Sequence, residues 1–150
     1  MVRLEPGELR PADELERFIA TLGGDGAVVS FVGLTRPADA AGAAVGGLFL
    51  DAYPGMTEKS LDAIAADALG RFAVSAVRIV HRCGDVAPGA AIVFAAAAAT
   101  HRRAAFEAAD YLMDRLKTDA AFWKREQKLD GPVWIEPSEA DRADRARWKD

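Results

Sequence analysis

Apolar residues recur at helical spacing in two early segments of the chain. Residues 11–22 predict an amphipathic helix, since Pro11 suits a first turn and four apolar side chains share one face: Leu15, Phe18, Ile19 and Leu22. A second helix is predicted between Thr57, which can cap it, and Gly70, which ends it. Its apolar face consists of Leu61, Ile64, Ala65, Ala68 and Leu69. Each segment therefore predicts a helix with one side turned towards a core.

The same spacing predicts a longer helix after Thr100, which suits the N-cap position. Its core stripe consists of Ala105, Ala109, Leu112 and Leu116, with Phe106 and Met113 beside it. Residues 138–150 are charged and have no apolar stripe until Trp148. We therefore expect this tail to be flexible, or to form a helix that is solvated or depends on a partner.

Short β-rich runs predict the strands, at residues 27–32, 48–52, 74–82, 90–99 and 132–136. The run at 90–99 (AAIVFAAAAA) is ambiguous, because alanine by itself favours a helix. A strand is predicted there because Ile92, Val93 and Phe94 lead the run, a turn precedes it, and a fully buried strand needs no alternation. Strands and helices alternate irregularly along the chain, so we predict an α+β fold rather than a doubly wound sheet.

Composition narrows the class of protein. A chain of 150 residues predicts a single domain over residues 1–150, with 51% hydrophobic and 28% charged residues as in ordinary globular proteins. The net charge of -4 argues against a nucleic-acid binder. The single cysteine, Cys83, excludes an internal disulfide, and its apolar neighbours favour a small buried side chain. We find no signal peptide and no apolar run long enough for a membrane span, so the cytoplasm is the expected compartment.

Positive charge gathers at both ends of the third helix. His101, Arg102 and Arg103 stand at its start, where cations oppose the helix dipole unless an anion is bound. Arginine can bind phosphate through its planar guanidinium, and histidine can donate or accept a proton. An equally good interpretation is that these residues are exposed charges on the surface of a helix start. Arg36 follows a hydrophobic strand and precedes the small, flexible segment 37–47 (PADAAGAAVGG), which we expect to be a mobile loop. Arg36 is therefore either a ligand contact or a solvated side chain.

Lys117 and Lys124 are seven positions apart at the far end of this helix. A continuous helix would place both on nearly the same face, and a turn after Thr118 could still fold Lys124 back towards Lys117. Two ammonium groups held close lower each other's pKa, and burial adds to this effect, so either lysine could act as an acid, a base or a nucleophile. The simpler interpretation is two solvated lysines near a helix C-terminus. Neither a phosphate loop nor a metal-ligand spacing or Ser-His-Asp pattern is present.

Several segments together resemble the large, catalytic subunit of molybdopterin synthase. The matching runs appear in the family's order and are FVGLTR (31–36), AYPGMTEK (52–59), VHRCGDVAPG (80–89), HRRAAFEAADYLMDRLKTDAAFWKRE (101–126) and VWIE (133–136). The YPGM turn and the LKT…FWKRE block are highly specific. The resemblance implies an α/β-hammerhead-like fold, with a mixed or antiparallel sheet packed against helices.

The resemblance also implies an activity and partners. The family transfers sulfur to cyclic pyranopterin monophosphate (precursor Z) to form the dithiolene of molybdopterin. The sulfur arrives as a thiocarboxylate on the C-terminal Gly-Gly tail of a small ubiquitin-like subunit, which threads into a pocket of the large subunit. Two large subunits form a central homodimer within a heterotetramer. No cofactor, metal or nucleotide is implied for this step.

Residue by residue, the resemblance makes Lys117 and Lys124 the essential lysines. It makes Arg36, His101 and Arg102 the residues that bind anions. The complete set implied to bind substrate is Leu34, Thr35, Arg36, His101, Arg102, Lys117, Lys124, Arg125 and Glu126.

The chain departs from the family pattern in three places. The loop at 37–47 is rich in alanine instead of polar, Asp51 replaces a usual Glu, and Val133 and Ser138 stand where basic residues are common. A charge is therefore missing there, unless Arg142 supplies it. These departures motivate an alternative, a non-catalytic paralogue that binds the sulfur carrier or a phosphate ligand. A third hypothesis is an unrelated phosphate-ligand enzyme that uses a lysine imine.

Overall fold

A computed structural model describes residues 1–149, which form four helices and eight strands. The helices are α1 (Pro11–Ala20), α2 (Met56–Arg71), α3 (Arg102–Thr118) and α4 (Glu139–Ala146). The strands are β1 (Val2–Glu5), β2 (Ala27–Leu34), β3 (Gly47–Ala52), β4 (Ala76–Arg82), β5 (Gly84–Val86), β6 (Ala91–Ala99), β7 (Phe122–Lys128) and β8 (Gly131–Ile135).

The strands form two four-stranded sheets, which makes the fold α+β as predicted. The first sheet has the order β1-β4-β6-β2 and is mixed, because β1 runs parallel to β4 while the other pairs are antiparallel. The second sheet has the order β5-β3-β7-β8 and is antiparallel throughout. The expected mixed or antiparallel sheet packed with helices is thus confirmed.

The first sheet is covered by helices on both faces. One face packs against α2 and α3, in a core that includes Leu61, Ile79, Leu112 and Leu116. The other face packs against α1 through Phe18, Val80 and Phe94. Because both faces are closed, β4 is buried from Val77 to Arg82, and its polar side chains lie in the interior instead of facing solvent.

The alanine run of β6 is the central strand of this sheet. Ala95 to Ala99 are all 0% exposed. Ala95 to Ala98 pair with β4 on one side and β2 on the other, and Ala99 pairs with β2. Small side chains allow helices to approach both faces of the strand closely, and this tertiary packing outweighs the helical preference of alanine. The strand predicted for 90–99 is therefore confirmed.

Four predicted helix ends differ from the structure. The first is the end of α1, which lies at Ala20 and not at Leu22. Thr57 lies inside α2, where its hydroxyl donates to the Ala121 carbonyl at 2.7 Å and accepts from the Tyr53 amide at 2.8 Å, so it links elements instead of capping a helix. Gly70 also lies inside α2, which continues to Arg71. The N-cap of α3 is His101 and not Thr100, and its side chain makes no capping hydrogen bond.

The charged tail contains α4, which packs against α3. Arg147 donates to Asp114 at 2.7 Å, Arg145 donates to Asp119 at 2.9 Å, and Trp148 lies edge-on against Phe72. The tail thus has apolar and ionic contacts with the first sheet's helical layer. A flexible tail and a single domain over 1–150 stay predictions, and Asp150 lies outside the described residues.

Candidate active site

A cavity of about 960 Å³ lies between the two sheets and the C-terminal end of α3. Its walls come from the end of β2 and the following loop, from β4, β7 and α3, and from the start of α4. Both Lys117 and Lys124 line it, so we call it the lysine pocket. Its volume suits a small-molecule ligand, since such pockets usually measure about 300–1,000 Å³.

The lysine pair is brought together by a change of element and not by helical spacing. α3 ends at Thr118, after which β7 returns across the pocket and presents Lys124. Burial lowers the pKa of the Lys124 ammonium below its ordinary value, and the charge of Lys117 lowers it further. Lys117 is more open, with 48% of its side chain exposed, and lies at the rim. A partly buried lysine beside a second cation gives up its proton more readily than a solvated lysine, which suits it to proton transfer.

The segment after β2 forms the wall that faces the lysines. Leu34, Thr35 and Arg36 all line the lysine pocket, as the resemblance implies for substrate contacts. The Thr35 backbone is fixed, because its N–H donates to Ala90 at 2.9 Å and its carbonyl accepts from Gly89 at 2.7 Å. Its buried hydroxyl oxygen has no hydrogen-bond partner within residues 1–149. Arg36 is exposed and makes no ion pair within that range, so its guanidinium is available to a ligand.

Arg125 and Glu126 point to opposite sides of β7. Glu126 lines the lysine pocket and lies 3.5 Å from Lys128. Arg125 is on the other face of the second sheet, where its guanidinium stacks over Phe49 at 4.7 Å and Trp134 at 5.5 Å. The structure therefore brings Glu126 to the pocket and leaves Arg125 outside it, because successive side chains of a strand alternate between faces.

His101 and Arg102 lie at the opposite end of α3 from the lysines. They line a separate cleft of about 660 Å³, the α3-start cleft, together with Gly26, Phe106 and Glu107. A helix of 17 residues is about 25 Å long, so the two ends of α3 are separated by roughly that distance. The structure does not bring His101 and Arg102 to the lysine pocket of the same chain.

His81 and Asp141 are among the pocket residues that were not predicted from the sequence as site residues. His81 lines the pocket with its ring stacked on Phe122 at 4.3 Å, and its Nδ1 is 2.8 Å from the Arg82 carbonyl. Burial lowers the pKa of His81 to about 4, so the ring is neutral at physiological pH. Asp141 of α4 also lines the pocket, with Oδ1 3.9 Å from Lys117 Nζ. The sequence signal for His81 was its place on the predicted strand 74–82.

The positions that depart from the family pattern have different surroundings. The loop at 37–47 contributes Ala38, Asp39 and Ala40 to the pocket, and Asp39 accepts from Lys128 at 2.6 Å. Ser138 lines the pocket as the N-cap of α4. Arg142 does not line it and lies 3.8 Å from Glu136 at its edge.

Neither a metal site nor a membrane span is found among the described residues. Within residues 1–149, no group of three or more His, Cys, Asp or Glu side chains could hold a metal ion. None of the helices in that range is long and apolar enough to cross a bilayer. The fold and the site together define an α+β protein with a lysine pocket between two sheets.

Comparisons with known proteins identify the family. The model of the family described as MoaE protein matches residues 6–119. The molybdopterin synthase catalytic subunit of Caulobacter vibrioides is 52% identical over 144 residues, which cover 96% of this chain and 91% of that protein. The chain belongs to the MoaE family, and is thus a catalytic subunit of molybdopterin synthase, an enzyme of molybdenum cofactor biosynthesis.

Solved structures have the same fold. The molybdopterin biosynthesis MoaE protein from Burkholderia ambifaria MC40-6 superposes with a TM-score of 0.83 at 38% identity, covering 99% of this chain and 97% of that one. A complex of subunits 1 and 2 of molybdopterin-converting factor from Helicobacter pylori 26695 includes a chain that superposes with a TM-score of 0.73. That chain is 21% identical over 89% of both chains, so it shares the fold.

Proposed function

We propose that the lysine pocket transfers sulfur from a thiocarboxylated small subunit to precursor Z, forming the dithiolene of molybdopterin. The observation that carries this proposal is the partly buried Lys124 held beside Lys117 on the wall of one cavity. Each transfer forms a bond between the thiocarboxylate sulfur and a carbon of the pterin, after which water cleaves the acyl–sulfur bond and releases the carrier with a carboxylate end; two such transfers supply the two sulfurs of the dithiolene. The reaction develops negative charge on oxygen, and preorganised cations stabilise such charge. The pterin phosphate needs further cations, and Arg36 on the facing wall has no competing ion pair within residues 1–149.

The two lysines differ in their surroundings, and we assign them different roles. Lys117 is at the open rim, so it meets the incoming thiocarboxylate and assists its attack on the pterin. Lys124 is deeper, and its lowered pKa suits it to move protons or to stabilise developing charge. Leu34, Thr35 and Glu126 are placed to orient the substrate, and the unpartnered Thr35 hydroxyl is a ready hydrogen-bonding group.

The partner in this proposal is a small ubiquitin-like sulfur carrier that ends in Gly-Gly. A glycine tail has no side chains, so it can enter a narrow opening and bring its terminal thiocarboxylate to Lys117. The Helicobacter pylori structure, which contains two subunits of the molybdopterin-converting factor, supports an assembly of this type. We place the reaction in the cytoplasm.

We also propose that the chain works as a homodimer within a heterotetramer, and that the dimer completes the site. His101 and Arg102 are about 25 Å from the lysines along their own α3, which is too far for one small substrate to touch both. A second copy can supply them to the lysine pocket of its neighbour. The edge strand β2 presents exposed apolar side chains at Phe31, Val32 and Leu34, which a second copy could cover.

Substitution of the lysines tests the proposal directly. We expect Lys117→Ala and Lys124→Ala each to reduce formation of molybdopterin from precursor Z and thiocarboxylated carrier by at least about 100-fold, since each removes a charge that acts in the transition state. Lys149→Ala, which removes an exposed lysine outside the pocket, is the matched control and should retain native activity. The assay measures product per turnover with purified carrier.

A Lys117→Ala protein with the native rate would reject the proposed mechanism. A wild-type protein that binds the carrier and precursor Z without making product would instead favour the alternative of a non-catalytic paralogue. Borohydride trapping with a carbonyl substrate distinguishes sulfur transfer from the lysine-imine hypothesis. Covalent trapping would support the imine, because sulfur transfer needs no imine between a lysine and the substrate.

A further inference from the structure

The wall of the lysine pocket beside Lys117 is formed by α4, the helix in the charged tail. Ser138, Ala140 and Asp141 all line the pocket, whereas Arg142, the residue of this segment that was considered as a source of charge, does not. Asp141 is the acidic residue that α4 places nearest to the lysines, with Oδ1 3.9 Å from Lys117 Nζ. The C-terminal helix therefore brings a carboxylate to the lysine pair.

The two carboxylate oxygens of Asp141 contact different groups. Oδ2 accepts hydrogen bonds from the Ser138 amide at 2.8 Å and from the Ser138 hydroxyl at 2.7 Å. In return, the Asp141 amide donates to the Ser138 hydroxyl at 3.1 Å, which completes a capping box. The cap fixes the orientation of the carboxylate, so Oδ1 remains directed towards Lys117.

α4 is attached to α3, the helix that carries Lys117, on the side opposite to the cap. Arg145 binds Asp119, and Arg147 binds Asp114 and Asp110. Trp148 Nε1 also donates to Asp114. Several bonds therefore join the two helices beyond the pocket and hold the part of α4 that carries Asp141 against the helix that carries Lys117.

Asp141 opposes the electrostatic effect that Lys117 has on Lys124. Burial and the charge of Lys117 lower the pKa of Lys124, and the charge of Asp141 raises it in part. For Asp141 itself, burial favours a higher pKa, but the Ser138 hydrogen bonds and the two lysine charges lower it below its ordinary value. Asp141 is therefore ionised at neutral pH and acts on both lysines.

The other titratable groups on the pocket wall are occupied elsewhere or neutral. Asp39 and Glu126 are both close to Lys128, at 2.6 and 3.5 Å. Glu136 lies 3.8 Å from Arg142, and His81 is neutral. Arg36 adds positive charge on the facing wall.

We propose that Asp141 is the counter-ion of the lysine pair, a positioning residue that the C-terminal helix delivers to the lysine pocket. Its carboxylate holds Lys117 at the rim and limits the repulsion between Lys117 and Lys124. This proposal rests on the proposed function for one premise, which is that the lysine pair carries out the reaction. The electrostatic contact itself can be measured without turnover.

The test is a direct titration of Lys124 by NMR in full-length protein labelled at the lysine side chains. The chain has lysines at 59, 117, 124, 128 and 149, so single Lys→Arg substitutions assign the signals. We expect Asp141→Asn to lower the pKa of Lys124 by about 0.5 to 1, because it removes a nearby opposite charge and keeps the side-chain shape. Asp141→Glu, which keeps the charge, should restore most of the difference.

Asp144→Asn is the matched control, because it removes one negative charge from an exposed position of the same helix outside the pocket. It should leave the Lys124 titration unchanged. An unchanged pKa of Lys124 in Asp141→Asn would overturn the proposal. So would an equal fall in Asp141→Asn and Asp141→Glu, since the effect would then come from altered packing and not from charge.

The pH profile of sulfur transfer distinguishes a failure of this proposal from a failure of the proposed function. If both hold, the limb of the profile that belongs to Lys124 moves to lower pH in Asp141→Asn by the amount seen in the titration. A titration that shifts while the profile stays unchanged would support the counter-ion and reject the catalytic role of Lys124.

Discussion

His81 is a buried ionisable side chain in the lysine pocket whose effect on stability depends on pH. Folding lowers its pKa from 6.5 to about 4, chiefly through burial, so between these values the unfolded chain binds a proton that the folded chain does not. The stability that His81 contributes is therefore complete above about pH 6.5 and is lost as the pH falls towards 4. At pH 5 the loss corresponds to about 2 kcal/mol.

We predict that the free energy of unfolding, measured with urea, changes less between pH 7.5 and pH 5 for His81→Gln than for the wild type. The substitution lowers stability at pH 7.5, because the stacked contact with Phe122 is lost, but it removes the titrating group. The expected reduction in the pH dependence is about 2 kcal/mol. An equal pH dependence in both proteins would show that His81 is not the group responsible.

The structure shows how Lys117 and Lys124 come together, which their spacing in the sequence left open. The seven-residue interval between Lys117 and Lys124 was compatible with one long helix or with a returning chain, and both placed the lysines near each other. The choice depends on α3 ending at Thr118 and on β7 pairing with β3, which is a contact between distant parts of the sequence. Arg125 points away from the pocket because it lies on the same strand, β7, next to Lys124. An interpretation of this segment as a helix could not have predicted that orientation.

α4 is an element whose stability depends on its first turn. Ser138 caps the helix through its hydroxyl, and α4 has no buried residues of its own. We predict that Ser138→Ala lowers the local stability of α4 by about 1 kcal/mol, because a lost N-cap costs about that much. Hydrogen exchange of the amides in 139–146 should be several-fold faster, while the amides of β6 remain as protected as in the wild type. Unchanged exchange in 139–146 would argue against the cap.

Most elements of the fold were predicted from the sequence, and the misses have physical causes. The helices over 11–22 and 57–70 and the strand at 90–99 were found because apolar periodicity and turn residues mark them locally. β1, β5 and β7 were missed. Strands of four and three residues carry too short a pattern in β1 and β5. In β7 the residues FWKREQK show no apolar alternation, and the strand forms through its pairing with the distant β3. Thr57 was misplaced because its hydroxyl bonds to Ala121, a partner 64 positions away in sequence.

The separation of the lysine pocket from the α3-start cleft makes a prediction about the whole assembly. Mixing inactive Lys117→Ala and Arg102→Ala proteins under conditions that allow dimers to exchange subunits should restore activity to about a quarter of the wild type. Half of the dimers are then mixed, and each mixed dimer has one site with both components intact. If each chain used its own Arg102, mixing would restore nothing.

The same measurement decides whether the dimer is needed for catalysis or only for assembly. The two proteins also serve as their own controls, since neither alone should gain activity when diluted and re-concentrated. The proposed sharing of the site between two chains could be predicted only in part from the sequence. The family resemblance pointed to a dimer, but the distance between the two ends of α3 follows only from the helix being straight and continuous from Arg102 to Thr118.

The alanine strand at the centre of the first sheet limits how this sequence can drift over evolutionary time. Single-base changes in an alanine codon replace it with glycine, serine, threonine, valine, proline, aspartate or glutamate. At Ala95 to Ala99, all of which are 0% exposed, the larger of these overfill a core closed on both faces and the charged ones are buried without partners. Nearly every step away from alanine is therefore harmful, so new variation in this lineage should accumulate around the strand and not within it.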